Sequence, residues 1–293
     1  LPPAAPPLPP APPLPPAPPP GPPDPTRAVL GPIVLLFGLG VAILMSLIFG
    51  RQMGDVACAW RVSYSPSRNA FSIWGLIFAW LMASVVEQLL VPLNFDGVYA
   101  ASAWNNMLAG TGLAAAGCWV VVFGCSRRED RKAGLVVSAL FLLCSTWCAV
   151  GASVLEYSWR GFDPLRILFV GVPFSLFAGW MCVASALGIG IAVVSMRYEP
   201  DYRCIDADRT YDMFTCPQLA PTLAAGLGGW VPLLLSLPMT VTAVVLPDPI
   251  LPLPLLWGIY YMRGHRKNRI AMCLLSGACA AAVMFAYLDV WIA

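Results

Sequence analysis

Glu87 is the acidic residue whose position could support chemistry in an apolar environment. Together with Gln88 it lies in the apolar segment 69–92, which is long enough to cross a membrane. A carboxyl group at such a depth is costly and usually faces the interior of a helical bundle. There it would serve as a proton relay, an ion-pathway residue or an axial ligand to the metal of a pigment. The alternative is a solvated carboxylate near the membrane interface, because Pro92 and Asn94 follow closely.

Asn105 and Asn106 are polar residues inside another apolar stretch. Adjacent residues face different directions on a helix, so one amide is expected to bind a neighbouring helix, at about 0.6–2 kcal/mol. Helix packing is the favoured role of these amides, and ligand binding, with Asn105 as the candidate residue, is the alternative. The glycines Gly38 and Gly40 lie in a membrane segment, where they predict close packing of two helices.

Cysteine and histidine do not occur at spacings that indicate catalysis or a metal site. Cys144 and Cys148 are four residues apart without a histidine or carboxylate at ligand spacing, so they are expected to pack. Cys204 and Cys216 bracket one loop and form either a disulfide or two free thiols. The single histidine, His265, lies in a basic loop that is expected to contact anionic lipid head groups.

Sequence signatures of enzymes are missing from the chain. The acidic loop 201–212 lacks the glycine and terminal glutamate of an EF-hand, so Ca²⁺ binding is not expected there. Phosphate-loop, Gly-x-Ser-x-Gly and His-Glu-x-x-His patterns do not occur. The sequence therefore predicts no catalytic residue, no metal site and no enzymatic activity. A net charge of +2 gives no reason to expect nucleic-acid binding.

The composition indicates which elements hold these residues. Of the residues, 59% are hydrophobic and 11% charged, and the mean hydropathy is +0.74, whereas soluble domains carry about 25% charged residues. We expect an all-α, polytopic membrane helical bundle of about eight transmembrane helices. The predicted spans are 28–49, 69–92, 100–125, 133–155, 166–196, 221–246, 250–262 and 270–292. The seventh is short and proline-rich, so re-entry into the membrane is its alternative.

The distribution of positive charge supports an even number of spans. With this topology, 14 of the 17 Lys and Arg residues fall on the side opposite the N-terminus. Because cytoplasmic loops are enriched in these residues, both termini are expected on the non-cytoplasmic side, lumenal or intermembrane in an organelle.

Residues 1–27 differ from the remainder, which extends over residues 28–293. They form a proline-rich tract that favours polyproline II and cannot build a packed core. This tract is read either as an exposed linker or as an extramembrane arm that docks on a partner protein. The proline-rich start without an initiator Met favours a plastid thylakoid or mitochondrial inner membrane as the location.

Aromatic residues cluster where a polar turn meets an apolar helix. Phe71, Trp74 and Phe78 recur at spacings of three and four, so they share one helix face. The stretch Ser65–Leu81, with its Ser-Pro turn and Phe-Ser-Ile-Trp-Gly-Leu-Ile run, resembles the start of the second helix in TspO/MBR-related, tryptophan-rich sensory proteins. The stretch Pro173–Trp180 resembles a second block of that family, and the overall order fits its longer, multi-span branch.

The resemblance implies a helical bundle with an aromatic-lined pocket, in which shorter members bind tetrapyrroles and sterol-like ligands. Its candidate pocket residues here are Phe71, Trp74, Phe177 and Trp180. The two blocks start from opposite sides of the membrane, so they need not share one pocket at one depth. The bound molecule could be a tetrapyrrole such as chlorophyll, a carotenoid or a lipid.

The sequence favours two functions over a third, a membrane enzyme, for which it offers no catalytic pairing. The first is a non-catalytic accessory subunit of a photosynthetic or respiratory membrane complex, contacted in part through the proline-rich arm and surrounded by membrane lipids. The second is a stand-alone TspO-like binder or transporter of tetrapyrroles or other hydrophobic small molecules.

Overall fold

Five long apolar helices carry most of the fold. The computed structural model describes residues 25–60, 62, 68–90, 103–126, 132–158, 164–197, 248, 250–261, 270, 273–278 and 281. Within them, all regular structure is helical. Five segments are long and apolar enough to cross a membrane: Val29–Ala57, Asn69–Leu90, Ala103–Cys125, Lys132–Glu156 and Ile167–Met196.

The described part of the chain consists of a series of helices. In chain order they are α1 (Pro25–Ala59), a 3-10 helix (Arg68–Ser72), α2 (Ile73–Leu90), α3 (Ala103–Cys125), α4 (Lys132–Ser158), α5 (Pro164–Arg166), a π-helix (Ile167–Gly171), α6 (Val172–Arg197) and α7 (Leu253–Tyr260). Helix α1 begins at Pro25, inside the range assigned to the proline-rich arm, because proline is well suited to a first helical turn.

The π-helix ends two residues before Pro173. Proline has no backbone N–H and its ring crowds the carbonyl four residues earlier, so a helix must widen or bend there. The indole Nε1 of Trp80 donates to the carbonyl oxygen of Leu168 in this widened turn, at 2.8 Å. A side chain of α2 thus compensates for the local loss of regular hydrogen bonding.

Helices α1, α3, α4, α6 and α2 pack in that order into a closed bundle, because α2 contacts both α6 and α1. The contact between α1 and α3 depends on glycine. A Cβ added to Gly38 would collide with the carbonyl of Gly110, and one added to Gly110 would lie 2.5 Å from the carbonyl oxygen of Val34. The predicted close packing at Gly38 is confirmed, whereas Gly40 has open space around it.

The outer surface of this bundle is apolar. Large side chains such as Phe37, Leu47 and Trp147 are 69%, 78% and 76% exposed. In water this surface would favour aggregation, whereas a lipid bilayer solvates it. The buried core lies along the inner faces of the same helices, with Leu39 and Leu113 among its fully buried members.

The first five predicted spans coincide with the five observed ones, within a few residues at most ends. The largest difference is at the first span, which was expected to end at residue 49. Helix α1 instead continues through Arg51 and Asp55 to Ala59, because a helix can extend past the apolar layer into the polar region. The all-helical class of the fold is confirmed in the described part of the chain.

The expectation of about eight spans is not confirmed. The predicted span 250–262 contains α7, which has eight residues and is therefore about 12 Å long. By itself it is too short for a hydrocarbon layer of about 30 Å. The predicted span 221–246 lies outside the described residues, and so does most of 270–292. The loops with Cys204, Cys216 and His265, and residues 1–24 of the arm, lie outside them too.

Candidate functional site

Aromatic side chains from α2, α6 and the 3-10 helix meet in one cluster, called here the aromatic site: Phe71, Trp74, Phe78, Phe177 and Trp180. The ring centroids of Trp74 and Trp180 are 6.3 Å apart and nearly perpendicular. Trp180 lies 6.0 Å from Phe71, and Trp74 lies 6.5 Å from Phe177. Edge-to-face pairs at such separations are favourable beyond the area they bury.

Helix periodicity explains how the sequence builds this site. Phe174, Phe177 and Trp180 follow at intervals of three, so α6 presents them on one face, and all three are fully buried. On the other side, Phe71 and Trp74 are only half-buried. The aromatic site therefore has a fixed wall on α6 and a more accessible wall at the start of α2.

The two aromatic blocks, whose relative depth the sequence left open, meet at one level of the bundle. Trp180 lies thirteen residues into the 30-residue span Ile167–Met196, and thus near its middle. Trp74 lies five residues into the shorter span Asn69–Leu90, which runs in the opposite direction. Counted from the two ends that lie on the same side, Trp180 is thirteen residues from Ile167 and Trp74 is sixteen residues from Leu90. The two rings therefore come to a similar level, although the two blocks start from opposite sides.

The indole N–H of Trp180 is a buried donor. Its Nε1 has no hydrogen-bond acceptor among the described residues, and Trp180 is 1% exposed. Leaving a buried donor unpaired typically costs about 1–3 kcal/mol. Because this N–H belongs to the aromatic site, it could satisfy an acceptor on a bound molecule.

A short segment, Leu251–Tyr260, packs against α6 beside the aromatic site. A Cβ added to Gly179 would collide with the carbonyl oxygen of Leu251, so glycine is needed for this close approach. A Cβ on Gly258 would lie 3.9 Å from Trp180 Cζ3. The segment also contacts the 3-10 helix, because Trp257 Nε1 donates to the carbonyl oxygen of Ala70 at 2.8 Å.

A second feature is a buried polar network between α3, α4 and α5. The Glu156 carboxylate is 2.7 Å from Arg166 Nε, and Asn105 Nδ2 donates to Glu156 Oε2 at 3.0 Å. Arg166 Nη2 also donates to Oε2, at 3.3 Å. Glu156 is 4% exposed, so an ion pair and an amide together compensate its burial.

A neighbouring set of polar side chains joins α3 to α2. Asn106 Nδ2 donates to Gln88 Oε1 at 2.6 Å, and Gln88 Nε2 donates to Ser84 Oγ at 2.9 Å. Gln88 is 1% exposed, whereas Glu87 is half-buried. The packing role of the two adjacent asparagines is confirmed, and each of them reaches a different helix.

The sequence-predicted site residues thus fall into two groups. The structure brings Phe71, Trp74, Phe177 and Trp180 together in the aromatic site. Glu87 and Asn105 do not join them. On α2, Glu87 is thirteen residues beyond Trp74, which corresponds to about 20 Å along the helix axis. Asn105 instead binds Glu156 in the polar network.

Sequence reasoning missed several polar residues at helix ends. Glu156, Arg166 and Gln88 were not among the candidates, and neither were Ser175 and Asp248. Asp248 is 1% exposed, and its Oδ2 accepts a hydrogen bond from Ser175 Oγ at 2.6 Å. A signal was available, because each of these residues is polar and lies in or near an apolar stretch. The sequence does not show which residue each one binds.

These groups provide surfaces and donors that can recognise a ligand. Among the described residues, no three His, Cys, Asp or Glu side chains group as metal ligands would. Cys144 and Cys148 carry free thiols on α4. The aromatic site offers flat apolar surfaces and one buried N–H donor, which together suit a flat, largely apolar molecule with an acceptor.

Long apolar helices with a lipid-compatible surface and an internal aromatic cluster define a polytopic helical membrane protein. Residues 28–203, more than half of the chain, match the family model described as TSPO-like protein. The chain therefore belongs to the TSPO-like family, and the resemblance based on Ser65–Leu81 and Pro173–Trp180 is confirmed. The matched residues include both aromatic blocks and end before α7. Searches of curated proteins and of solved structures gave no significant match.

Proposed function

We propose that this membrane protein binds a flat, hydrophobic small molecule, such as a tetrapyrrole or a carotenoid, at the aromatic site. The observation that carries the proposal is the contact between Trp74 and Trp180, two rings from opposite blocks that lie 6.3 Å apart. Trp180 is fully buried, whereas the half-buried Trp74 keeps accessible ring surface on which a planar molecule can stack. The unpaired Nε1 of Trp180 adds a donor for a polar group of the ligand.

Binding without chemical conversion fits the residues at this site. Its described members are aromatic, and neither Glu87 nor the ion pair of Glu156 belongs to it. We therefore propose a binder or carrier and not an enzyme.

The test uses the full chain in detergent micelles and protoporphyrin IX as the probe. Binding is followed by the shift of the porphyrin absorbance band, with empty micelles as the blank. Trp180→Phe should raise Kd about two- to tenfold, because it removes the indole donor and some stacking area. Trp74→Phe should also raise Kd, through loss of stacking area.

Trp147→Phe is the matched control, since Trp147 lies on the lipid-facing surface of α4 and is 76% exposed. Its Kd should equal that of the wild type. If Trp74→Phe and Trp180→Phe both bind like this control, the aromatic site is not where the porphyrin binds.

A second candidate role is a subunit of a larger membrane complex, and the composition of residues 1–24 favours it. Proline-rich segments lose little entropy on docking and are common recognition elements. In this proposal both termini lie on the non-cytoplasmic side of an organellar membrane, as the charge distribution favours. Deleting residues 1–24 should weaken co-purification with neighbouring subunits in mild detergent. Full retention by the truncated protein would contradict a docking role of the arm.

A further inference from the structure

Helix α7 connects the two elements that supply the aromatic site. On one side, the Cβ position of Gly258 is 3.4 Å from Val183 Cγ1, on α6, close to Trp180. On the other side, Trp257 donates to the carbonyl oxygen of Ala70, the residue that precedes Phe71. Helix α7 therefore lies across the junction between α6 and the 3-10 helix.

One end of this segment is fixed firmly to α6. Asp248 accepts a hydrogen bond from Ser175 through Oδ2, and its Oδ1 accepts bonds from the backbone N–H groups of Ile250, at 2.9 Å, and Leu251, at 3.3 Å. Ser175 in turn lies 3.2 Å from Ser153 Oγ on α4. Such a buried set of hydrogen bonds defines a stable attachment point.

The contact of α7 with the 3-10 helix is lighter than its contact with α6. Leu255 and Ile259 of α7 are almost fully buried, and the Cβ position of Gly258 lies against Val183 of α6. Trp257 is 37% exposed, and its indole hydrogen bond is a single contact to a backbone carbonyl of the 3-10 helix. Contacts held by few bonds open locally at low free-energy cost compared with the unfolding of the core. The segment thus has a buried face fixed on α6 and a releasable contact at Trp257.

We propose that α7 is a movable wall of the aromatic site and that the Trp257–Ala70 hydrogen bond is its latch. When the latch breaks, the Trp257 side of α7 separates from the 3-10 helix while its buried face stays on α6, and an apolar ligand passes between α7 and the 3-10 helix. This inference rests on the proposed ligand binding. It adds an element outside the family-matched residues 28–203, so control of ligand passage would be a property of this chain's C-terminal part.

The kinetic test compares Trp257→Phe with the control Trp147→Phe, again with protoporphyrin IX in micelles. Phenylalanine retains an aromatic ring at position 257 but lacks the N–H donor, so the latch is lost while most packing remains. Stopped-flow absorbance should show association and dissociation rate constants that both rise about two- to tenfold. Because a latch affects the barrier more than the bound state, Kd should change less than either rate constant.

A purely structural role of Trp257 would give a different pattern. Weaker binding through faster dissociation alone would make α7 a contact surface for the ligand and would overturn the latch. Rate constants equal to those of Trp147→Phe would overturn it as well.

A ligand-free measurement separates this inference from the proposed function. Hydrogen–deuterium exchange of residues 250–261 should be faster in Trp257→Phe than in Trp147→Phe, while exchange in α3 stays the same. Unchanged exchange in this segment overturns the latch whether or not porphyrin binds. Faster exchange together with no porphyrin binding by the wild type would keep α7 movable but refute the proposed function, and with it the role in ligand passage.

Discussion

The Glu156 carboxylate and the Arg166 guanidinium form an ion pair between α4 and α5, with 2.7 Å between Oε1 and Nε. Their environments differ, because the Glu156 side chain is 5% exposed and the Arg166 side chain 19%. Removing one partner of a buried pair leaves the other charge uncompensated, which typically costs about 3–5 kcal/mol. Of the two charges, the more deeply buried one should be the more costly to leave without a partner.

We therefore expect Arg166→Met to destabilise the protein more than Glu156→Gln. In the first variant a buried carboxylate retains only the amide of Asn105 among its described charge-compensating contacts, whereas in the second the arginine can still reach solvent. Unfolding temperatures in detergent show which of the two variants is less stable. The double variant should lose less than the sum of the single losses, since neither charge is then left alone. Additive losses would show that the two side chains do not act as a pair.

The Asn106–Gln88 hydrogen bond gives a second ordered prediction. Gln88→Leu should cost more stability than Asn106→Ala, because it leaves the whole buried amide of Asn106 unpaired among the described residues. Asn106→Ala instead removes an Oδ1 that already has no partner among them, and Gln88 keeps its bond to Ser84. A double-mutant cycle should give a coupling of about 0.6–1.7 kcal/mol, the range of hydrogen bonds between membrane helices. The reverse order of the two single variants would contradict this account.

Particular residues show which parts of the molecule the sequence could predict. The five described spans follow from apolar length alone, and the aromatic site follows from two recognisable blocks. Which of Glu87 and Gln88 faces the bundle interior does not follow from the sequence. The two are neighbours on α2 and point in different directions, and the direction that faces inward depends on where α3 packs. The pairs Glu156–Arg166 and Ser175–Asp248 depend likewise on helix packing. The contact between Trp180 and Trp74 depends on how α6 aligns with α2.

The contact between α1 and α3 provides a matched pair of glycine substitutions on one helix. Gly38→Ala should destabilise the bundle by about 1–3 kcal/mol, because its Cβ would collide with the backbone of Gly110 and the helices would have to separate. Gly40→Ala should cause no loss, since nothing lies within 4 Å of its Cβ position. Unfolding temperatures of the two variants check this difference. Equal effects would mean that α1 tolerates a shift away from α3.

The glycine at position 179 provides the corresponding test for the segment that carries α7. In Gly179→Ala the new Cβ would collide with the carbonyl oxygen of Leu251, and a backbone atom cannot rotate aside as a side chain can. We expect the turn at Leu251 to move off α6, with a lower unfolding temperature and faster hydrogen exchange in residues 250–261. Gly188→Ala is the control on the same helix. Its Cβ would meet the terminal Cδ1 of Leu142, which a rotamer change can displace at small cost. Because both variants add one methyl group to α6, a similar loss in both would show that the close approach at Leu251 is not what holds this segment in place.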